Sequence, residues 1–216
     1  MSGRLNAPGL FIAIEGIDGA GKTTQADRLA ERLRSLRPNR QVLVLHEPGS
    51  TALGERIRQL VKQEQGTTID PVAELLLFAA ARAQLVGEVI VPTLSAGGVV
   101  LCDRFTASTR AYQGAGRGIN ARLIDEVESV ATGGLRPDLT VLLDLDVETA
   151  LARRGAAIKD DRFEQQDAAF YHRVRAGYLD AAQQHPGRWL VVDARAGANH
   201  VTAAVWFRVE PLLDFS

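Results

Sequence analysis

The sequence predicts an α/β fold: a five-stranded parallel sheet with helices on both faces and a short lid. Three observations carry the prediction. Five short apolar runs rich in Val, Leu and Ile alternate with segments of helical periodicity, the pattern of successive βαβ units. The first run, Leu10 to Glu15, leads straight into Gly16-Ile17-Asp18-Gly19-Ala20-Gly21-Lys22-Thr23, which fits the phosphate-binding pattern G-x-x-x-x-G-K-[ST] at every fixed position. Late in the chain a polar stretch, Gly155 to Arg162, interrupts the helical pattern with one large aliphatic residue, Ile158, as expected of a lid at about residues 153–164 and not of a second core. One domain spanning residues 1–216 is expected.

The elements follow in order. Leu10 to Glu15 is apolar nearly throughout, as a strand covered on both faces must be, and is expected at the centre of the sheet. Ala26, Leu29, Ala30, Leu33 and Leu36 fall at helical spacing after the glycine-rich loop, and Arg37-Pro38-Asn39 stops that helix. Gln41 to His46 reads as a second buried strand, ending in Glu47-Pro48-Gly49. Leu53, Ile57, Leu60 and Val61 mark a short helix. Asp70-Pro71 opens a longer one, with Asp70 as cap and Pro71 in the first turn, through Val72, Leu75, Leu76, Ala79, Ala83 and Val86. Val99 to Cys102 is a third strand ending in Asp103-Arg104. Leu123, Ile124, Val127 and Val130 give a helix, Leu139 to Leu145 a fourth strand and Val147 to Arg154 a helix. Helical periodicity resumes near Gln165 and runs to Gln184. Trp189 to Val192 is the fifth strand, and Val201 to Val209 the last helix.

Composition narrows the function classes. A formal net charge of −1 gives no basic field for nucleic acid. The single cysteine, Cys102, excludes an internal disulfide, suits a reducing compartment and reads as a small buried apolar residue. Met1 to Gly9 lacks an apolar signal core, and no uncharged run of about 18 residues is present, so a cytoplasmic protein without membrane or nucleic-acid partners is expected.

The chemistry gathers around the glycine-rich loop. Its backbone N–H groups, at the positive end of the following helix, suit phosphate oxygens, so Gly16, Ile17, Asp18, Gly19, Ala20, Gly21, Lys22, Thr23 and Thr24 form the expected nucleotide-binding stretch, which the resemblance given below makes an ATP site. Lys22 would reach the outer phosphates, and the Thr23 hydroxyl would face Mg²⁺. Asp103 at a strand end suits Mg²⁺ through water, and Arg104 a phosphate. Glu47, at a neighbouring strand end, is open to three roles: a substrate-orienting or metal-linked carboxylate, a general base, or a turn residue. Phe78 and Arg82, four apart on one helix, share a face and can address one ligand. Ser108, Thr109, Tyr112 and Gln113 supply hydroxyls, an aromatic ring and an amide suited to a base and a sugar. In the lid Arg153, Arg154, Lys159 and Arg162 are cations of the kind that stabilise a transferring phosphoryl group, where an arginine contributes about 10³–10⁵ in rate. His46, His172, His185 and His200 show no metal-ligand spacing.

Together these stretches resemble the bacterial thymidylate kinases. The resemblance rests on Phe11 to Thr24, Glu47-Pro-Gly49 with Leu53 to Arg58, Leu77 to Gln84, Asp103-Arg-Phe with Ser108, Ala111-Tyr-Gln-Gly114, Asp161 to Gln165 and Arg173 to Tyr178, in family order over about residues 10–195. It implies a P-loop nucleoside monophosphate kinase-like fold, a homodimer, and transfer from MgATP to dTMP giving ADP and dTDP. It further implies that Phe78 stacks on thymine, Arg82 hydrogen-bonds its edge, Arg104 grips the dTMP phosphate, Asp18 and Glu47 face the sugar and phosphate region, and Tyr112 lies against the deoxyribose while Ser108, Thr109 and Gln113 line the base pocket. Gly19 stands where some relatives carry an arginine, so the chain resembles the subgroup with its catalytic cation in the lid, where Arg153 and Arg154 are the candidates. Ala81, Leu85 and His46 depart from the common family residues, as does a lid with fewer arginines. The alternative activity is a deoxynucleoside kinase with Glu47 as base; a catalytically silent nucleotide-binding regulator is a third reading, opposed by the intact Lys22, Thr23, Asp103 and Arg104.

Overall fold

In the computed structural model, which describes residues 9–63, 68–154 and 166–213, Leu10–Glu15 forms strand β1 and all six of its residues are buried. The reason is its place in the sheet. β2 (Val42–His46), β3 (Val99–Asp103), β4 (Leu139–Asp144) and β5 (Trp189–Asp193) join it in the order β2-β3-β1-β4-β5, every pair parallel. Alternate residues of β1 enter two different cores. Leu10, Ile12 and Ile14 pack with residues of α1 (Lys22–Leu36), while Phe11 and Ala13 pack with Val100, Cys102 and Phe105. Cys102 is fully buried, as its apolar reading required, and burial pushes its thiol well above the ordinary value.

β2 departs from expectation. It lies at the sheet edge, where only Val42 and Leu45 are buried, because one side of the strand has no neighbour to cover it. Next come α2 (Ala52–Gln63) and α3 (Pro71–Leu85), the latter capped by Asp70, whose carboxylate accepts from Val72 N–H at 2.8 Å. Helical backbone then continues through a π-turn, Val86–Ile90, into α4 (Val91–Ser95), further than the periodicity indicated, and Ile90 is buried in the second core. Length and composition alone would let Pro71–Ser95 cross a bilayer, but Leu75, Ala81, Arg82, Leu85 and Ile90 are buried within the fold.

α5 (Thr106–Thr109) follows β3 and runs into a second π-turn, Arg110–Gly116, which packs along α8 (Ala168–Gln184). Gly177 permits that approach, since a Cβ there would sit 2.7 Å from Ala115 Cβ. Helix α6 (Ala121–Thr132) is rotated from the expected apolar face. Ile124 is buried, but so is Glu128, while Leu123 and Val130 are exposed. After β4, α7 (Val147–Arg154) leads towards the expected lid, whose residues 155–165 lie outside those described. α8 begins at Ala168, after its Asp167 cap, a few residues later than expected, and α9 (Ala198–Val209) starts three residues before Val201.

Candidate active site

Parallel strands end together, and this sheet reverses its winding at β1: the chain moves outward to β2 on one side and to β4 and β5 on the other. Open α/β sheets bind ligands at the carboxyl ends of the strands flanking such a point. Asp103 is in register with Ile14 of β1 and His46 of β2, so the loops after β1, β2 and β3 converge there. They enclose a cavity of about 450 Å³. It is lined by Asp18, Gly19, Gly21, Lys22, Thr23 and Thr24 from the first loop, by Glu47 and by Asp103 and Arg104. Phe78, Arg82, Ser108, Thr109, Tyr112, Gln113 and Arg153 line it too, with His46, Pro48, Arg58 and Lys62.

On the phosphate-loop side, Gly21 takes a left-handed backbone at the start of α1. Lys22 is buried, donates from Nζ to Ile17 C=O at 3.2 Å and lies 3.8 Å from Asp18 Oδ1. Burial, aided by the nearby Arg104 charge, lowers its pKa against the pull of Asp18, Asp103 and Glu15. Thr23 donates its hydroxyl to Asp103 Oδ2 at 2.7 Å. A hydroxyl and a carboxylate so placed beside the lysine fit Mg²⁺, which takes few protein ligands and fills its shell with water and nucleotide oxygens. Among the described residues no group of three or more His, Cys, Asp or Glu could hold a metal unaided. Gly19 has φ +87°, and a Cβ there would come within 2.8 Å of Ala150 C=O on α7. A side chain at this position, an arginine included, therefore collides with the helix that leads to the lid.

Arg104, just after β3, stands against the phosphate loop. Its backbone is left-handed, φ +74°, and its guanidinium is only 17 % exposed. Nη2 donates to Asp18 Oδ1 at 2.6 Å and to Tyr112 Oη at 3.1 Å. Nη1 lies 3.1 Å from Gly16 C=O, Ser108 Oγ and Tyr178 Oη alike. Burial opposes ionisation of Asp18, but Arg104 and Lys22 outweigh it and hold the carboxyl well below the usual range.

Arg82 lies deeper than its helical face alone indicated, buried at the end of the pocket. Nε is 2.6 Å from Glu47 Oε1, a close contact whose atoms are not aligned as a hydrogen bond. Nη1 donates to Thr109 Oγ1 at 2.8 Å and to Glu128, and Nη2 to Phe105 C=O at 3.3 Å. Two buried carboxyl groups thus share one guanidinium. Burial pushes Glu47 up to about 8, with Glu128 adding to the rise and Arg82 opposing it. Gln113 donates to Glu74 at 2.8 Å, and Phe78 is half-buried beside them.

The structure therefore brings together at one cavity the expected site residues whose side chains it describes, except Ile17 and Ala20, which are buried in the core shared with α1; Gly16 reaches Arg104 through its C=O. Arg153 lines the pocket while donating to Ala194 C=O at 3.0 Å. The Arg154 side chain, with Lys159 and Arg162, lies outside the described residues. The sequence assigned no role to Glu15, Glu74, Glu128 or Tyr178. A glutamate ending a strand buried on both faces, and another on the inward face of α6, are the signals that could have marked the first and third.

The family model described as thymidylate kinase matches residues 14–205. The thymidylate kinase of Thermomicrobium roseum is 50 % identical over 204 residues, 94 % of this chain and 95 % of the relative. That of Desulforudis audaxviator is 48 % identical over 206 residues, 95 % and 92 % of the two chains. The crystal structure of thymidylate kinase from Ehrlichia chaffeensis superposes with a TM-score of 0.79 at 36 % identity, covering 94 % of this chain and 99 % of that one. With the phosphate loop, the Asp103-Arg104 pair and the parallel sheet behind them, these similarities establish that the chain belongs to the thymidylate kinase family.

Proposed function

We infer that this chain transfers the γ-phosphoryl group of MgATP to the 5′-phosphate of dTMP, giving ADP and dTDP. The observation that carries the reading is the position of Arg104, a largely buried guanidinium against the phosphate loop and paired with Asp18, the same carboxylate that neighbours Lys22. Two cationic groups flanking one carboxylate suit a donor phosphate and an acceptor phosphate. Such a transfer depends on positioning and charge neutralisation, and an acceptor that is already an anion needs no base. The general-base role of Glu47 drops out accordingly.

The loop from Gly16 to Thr24 cradles ATP, Lys22 contacts its outer phosphates, and Thr23 with Asp103 holds Mg²⁺, which when bound neutralises phosphate charge. Arg104 grips the acceptor phosphate. Phe78 stacks on thymine, Arg82 with Thr109 and Gln113 addresses the base edge, and Tyr112 closes on the deoxyribose. Asp18 and Glu47 hold the two arginines in place. Arg153 or Arg154 supplies the lid cation, a role that Gly19, hemmed in by α7, leaves to that side. The whole chain acts as one cytoplasmic domain, and it pairs as a homodimer. Packed side by side, α2, α3 and α6 expose Leu53, Leu60, Val72, Leu76, Leu123 and Val130, which supports pairing through that face.

A coupled assay of dTMP, dUMP, thymidine and other nucleoside monophosphates with MgATP tests the reading. Turnover of dTMP with little of thymidine is expected. Preference for thymidine, or no turnover of any acceptor, overturns it.

A further inference from the structure

Glu15 is the last residue of β1 and has no contact with solvent, yet both its oxygens are engaged. Oε1 accepts from Phe105 N–H at 2.8 Å. Oε2 accepts from Ser108 Oγ at 2.7 Å and from Tyr178 Oη at 3.1 Å, and those two hydroxyls are themselves 2.7 Å apart. Each partner is also a neighbour of Arg104. The Phe105 N–H belongs to the peptide that follows Arg104, and Ser108 Oγ and Tyr178 Oη both receive Nη1 of its guanidinium. The residues on either side of Glu15 act on the same arginine: Ile14 C=O accepts from Arg104 N–H at 3.0 Å, and Gly16 C=O from Nη1 at 3.1 Å.

We propose that Glu15 is a positioning residue for Arg104, one oxygen fixing the left-handed backbone beside it and the other orienting the two hydroxyls that aim its guanidinium at the acceptor phosphate. The proposal rests on the reading of Arg104 as the acceptor-phosphate ligand.

Physical necessity points the same way. A non-glycine residue with φ +74° is strained and persists only where its surroundings over-determine it. Here the surroundings are the end of β1. A hydroxyl can donate to one partner and accept from another. With the carboxylate taking the protons of Ser108 and Tyr178, their lone pairs are left to accept from Arg104, and reversing either hydroxyl would set an O–H against a guanidinium N–H. Burial and the Glu15 charge raise the Tyr178 phenol well above its ordinary value, so it remains a donor. A buried carboxylate is costly unless paired and hydrogen-bonded. Three hydrogen bonds and the Arg104 charge offset only part of that cost, since burial still lifts the Glu15 carboxyl above its ordinary value, and a neutral, apolar residue would fill the space at less cost if packing were its only task.

The test is steady-state kinetics and thermal melting of wild type, Glu15→Gln, Tyr178→Phe, Arg104→Lys and the double variant Glu15→Gln with Arg104→Lys. Glutamine keeps the volume but turns an N–H₂ towards the hydroxyls or the Phe105 N–H. The expected result is a KM for dTMP raised about tenfold in Glu15→Gln and severalfold in Tyr178→Phe, on the scale of one charge-assisted hydrogen bond. KM for ATP should stay within about twofold of wild type, since the phosphate loop keeps its own contacts. In the double variant Glu15→Gln should add almost nothing to Arg104→Lys, because a residue acting through Arg104 has nothing left to position. Independent, additive losses, or equal losses for ATP and dTMP, would overturn the proposal and leave Glu15 as part of the core. Should Glu15→Gln fail to fold, Tyr178→Phe combined with Arg104→Lys gives the same cycle. If Arg104→Lys alone leaves the KM for dTMP unchanged, the reading of Arg104 falls and the proposal with it. If Arg104→Lys raises it while Glu15→Gln and Tyr178→Phe do not, only the proposal falls.

Discussion

Asp18 Oδ1 and Arg104 Nη2 lie 2.6 Å apart, tying the phosphate loop to the residue that follows β3. Asp18 is also 3.8 Å from Lys22, so one carboxylate neighbours both cations. Replacing Asp18 with Asn removes the charge but keeps the shape. The expected outcome is a loss of about 10- to 100-fold in kcat/KM for dTMP, the scale of a charged hydrogen bond lost from a largely buried guanidinium, with a smaller change in KM for ATP. Steady-state kinetics with each substrate varied in turn checks it.

Thr23 and Asp103 come from different elements and meet at 2.7 Å. Asp103→Asn should raise the Mg²⁺ concentration needed for half-maximal rate and lower the maximal rate, because the neutral amide is a poorer ligand for a hard cation and for its bound waters. A Mg²⁺ titration at saturating ATP and dTMP measures both. An unchanged titration curve would remove Asp103 from the metal site.

Gly19 is constrained twice, by φ +87° and by the Ala150 carbonyl 2.8 Å from where a Cβ would sit. Gly19→Ala should therefore cost about 1–3 kcal/mol in stability. Gly87, with no atom within 4 Å of a Cβ and an ordinary φ, is the control, and Gly87→Ala should be neutral or slightly stabilising. Thermal melts of the two variants separate a backbone requirement from a general intolerance of substitution.

Glu47 supplies a pH signature. In the folded chain its carboxyl holds a proton up to about pH 8, whereas the unfolded carboxyl releases it near 4.5. Between those values the folded state binds more protons than the unfolded one, so this group's contribution to stability falls as pH rises. Glu47→Gln should flatten the slope, with the change amounting to roughly a few kcal/mol over that interval. Denaturant unfolding at about pH 5 and about pH 8, for wild type and variant, reads it directly.

The parts of the molecule that sequence made legible are those encoded locally. A buried strand, a left-handed glycine and a helix start occur within a few residues of Gly16, so the phosphate loop, β1 and α1 declare themselves. Arg82 shows the limit. Its spacing from Phe78 placed both on the pocket side of α3, but its burial between Glu47 and Glu128 depends on α6 turning a charged residue inward. A periodicity built from apolar positions discounts such a residue. For the same reason Val130 was expected inside and is 85 % exposed. The edge position of β2 follows from sheet order, which a strand's own residues do not carry. Glu15 and Tyr178 lie at opposite ends of the chain, and only the packing of α8 against the Arg110–Gly116 turn brings them to one arginine.

The proposed role of Arg104 is to recognise the acceptor by its phosphate. Binding of dTMP and of thymidine to wild type and to Arg104→Met, measured by titration calorimetry, tests it most directly. Wild type should bind dTMP at least about 100-fold more tightly than thymidine, and Arg104→Met should lose most of that difference through weaker dTMP binding alone. Equal affinity of wild type for the two ligands, or a preference that survives in Arg104→Met, would contradict the account.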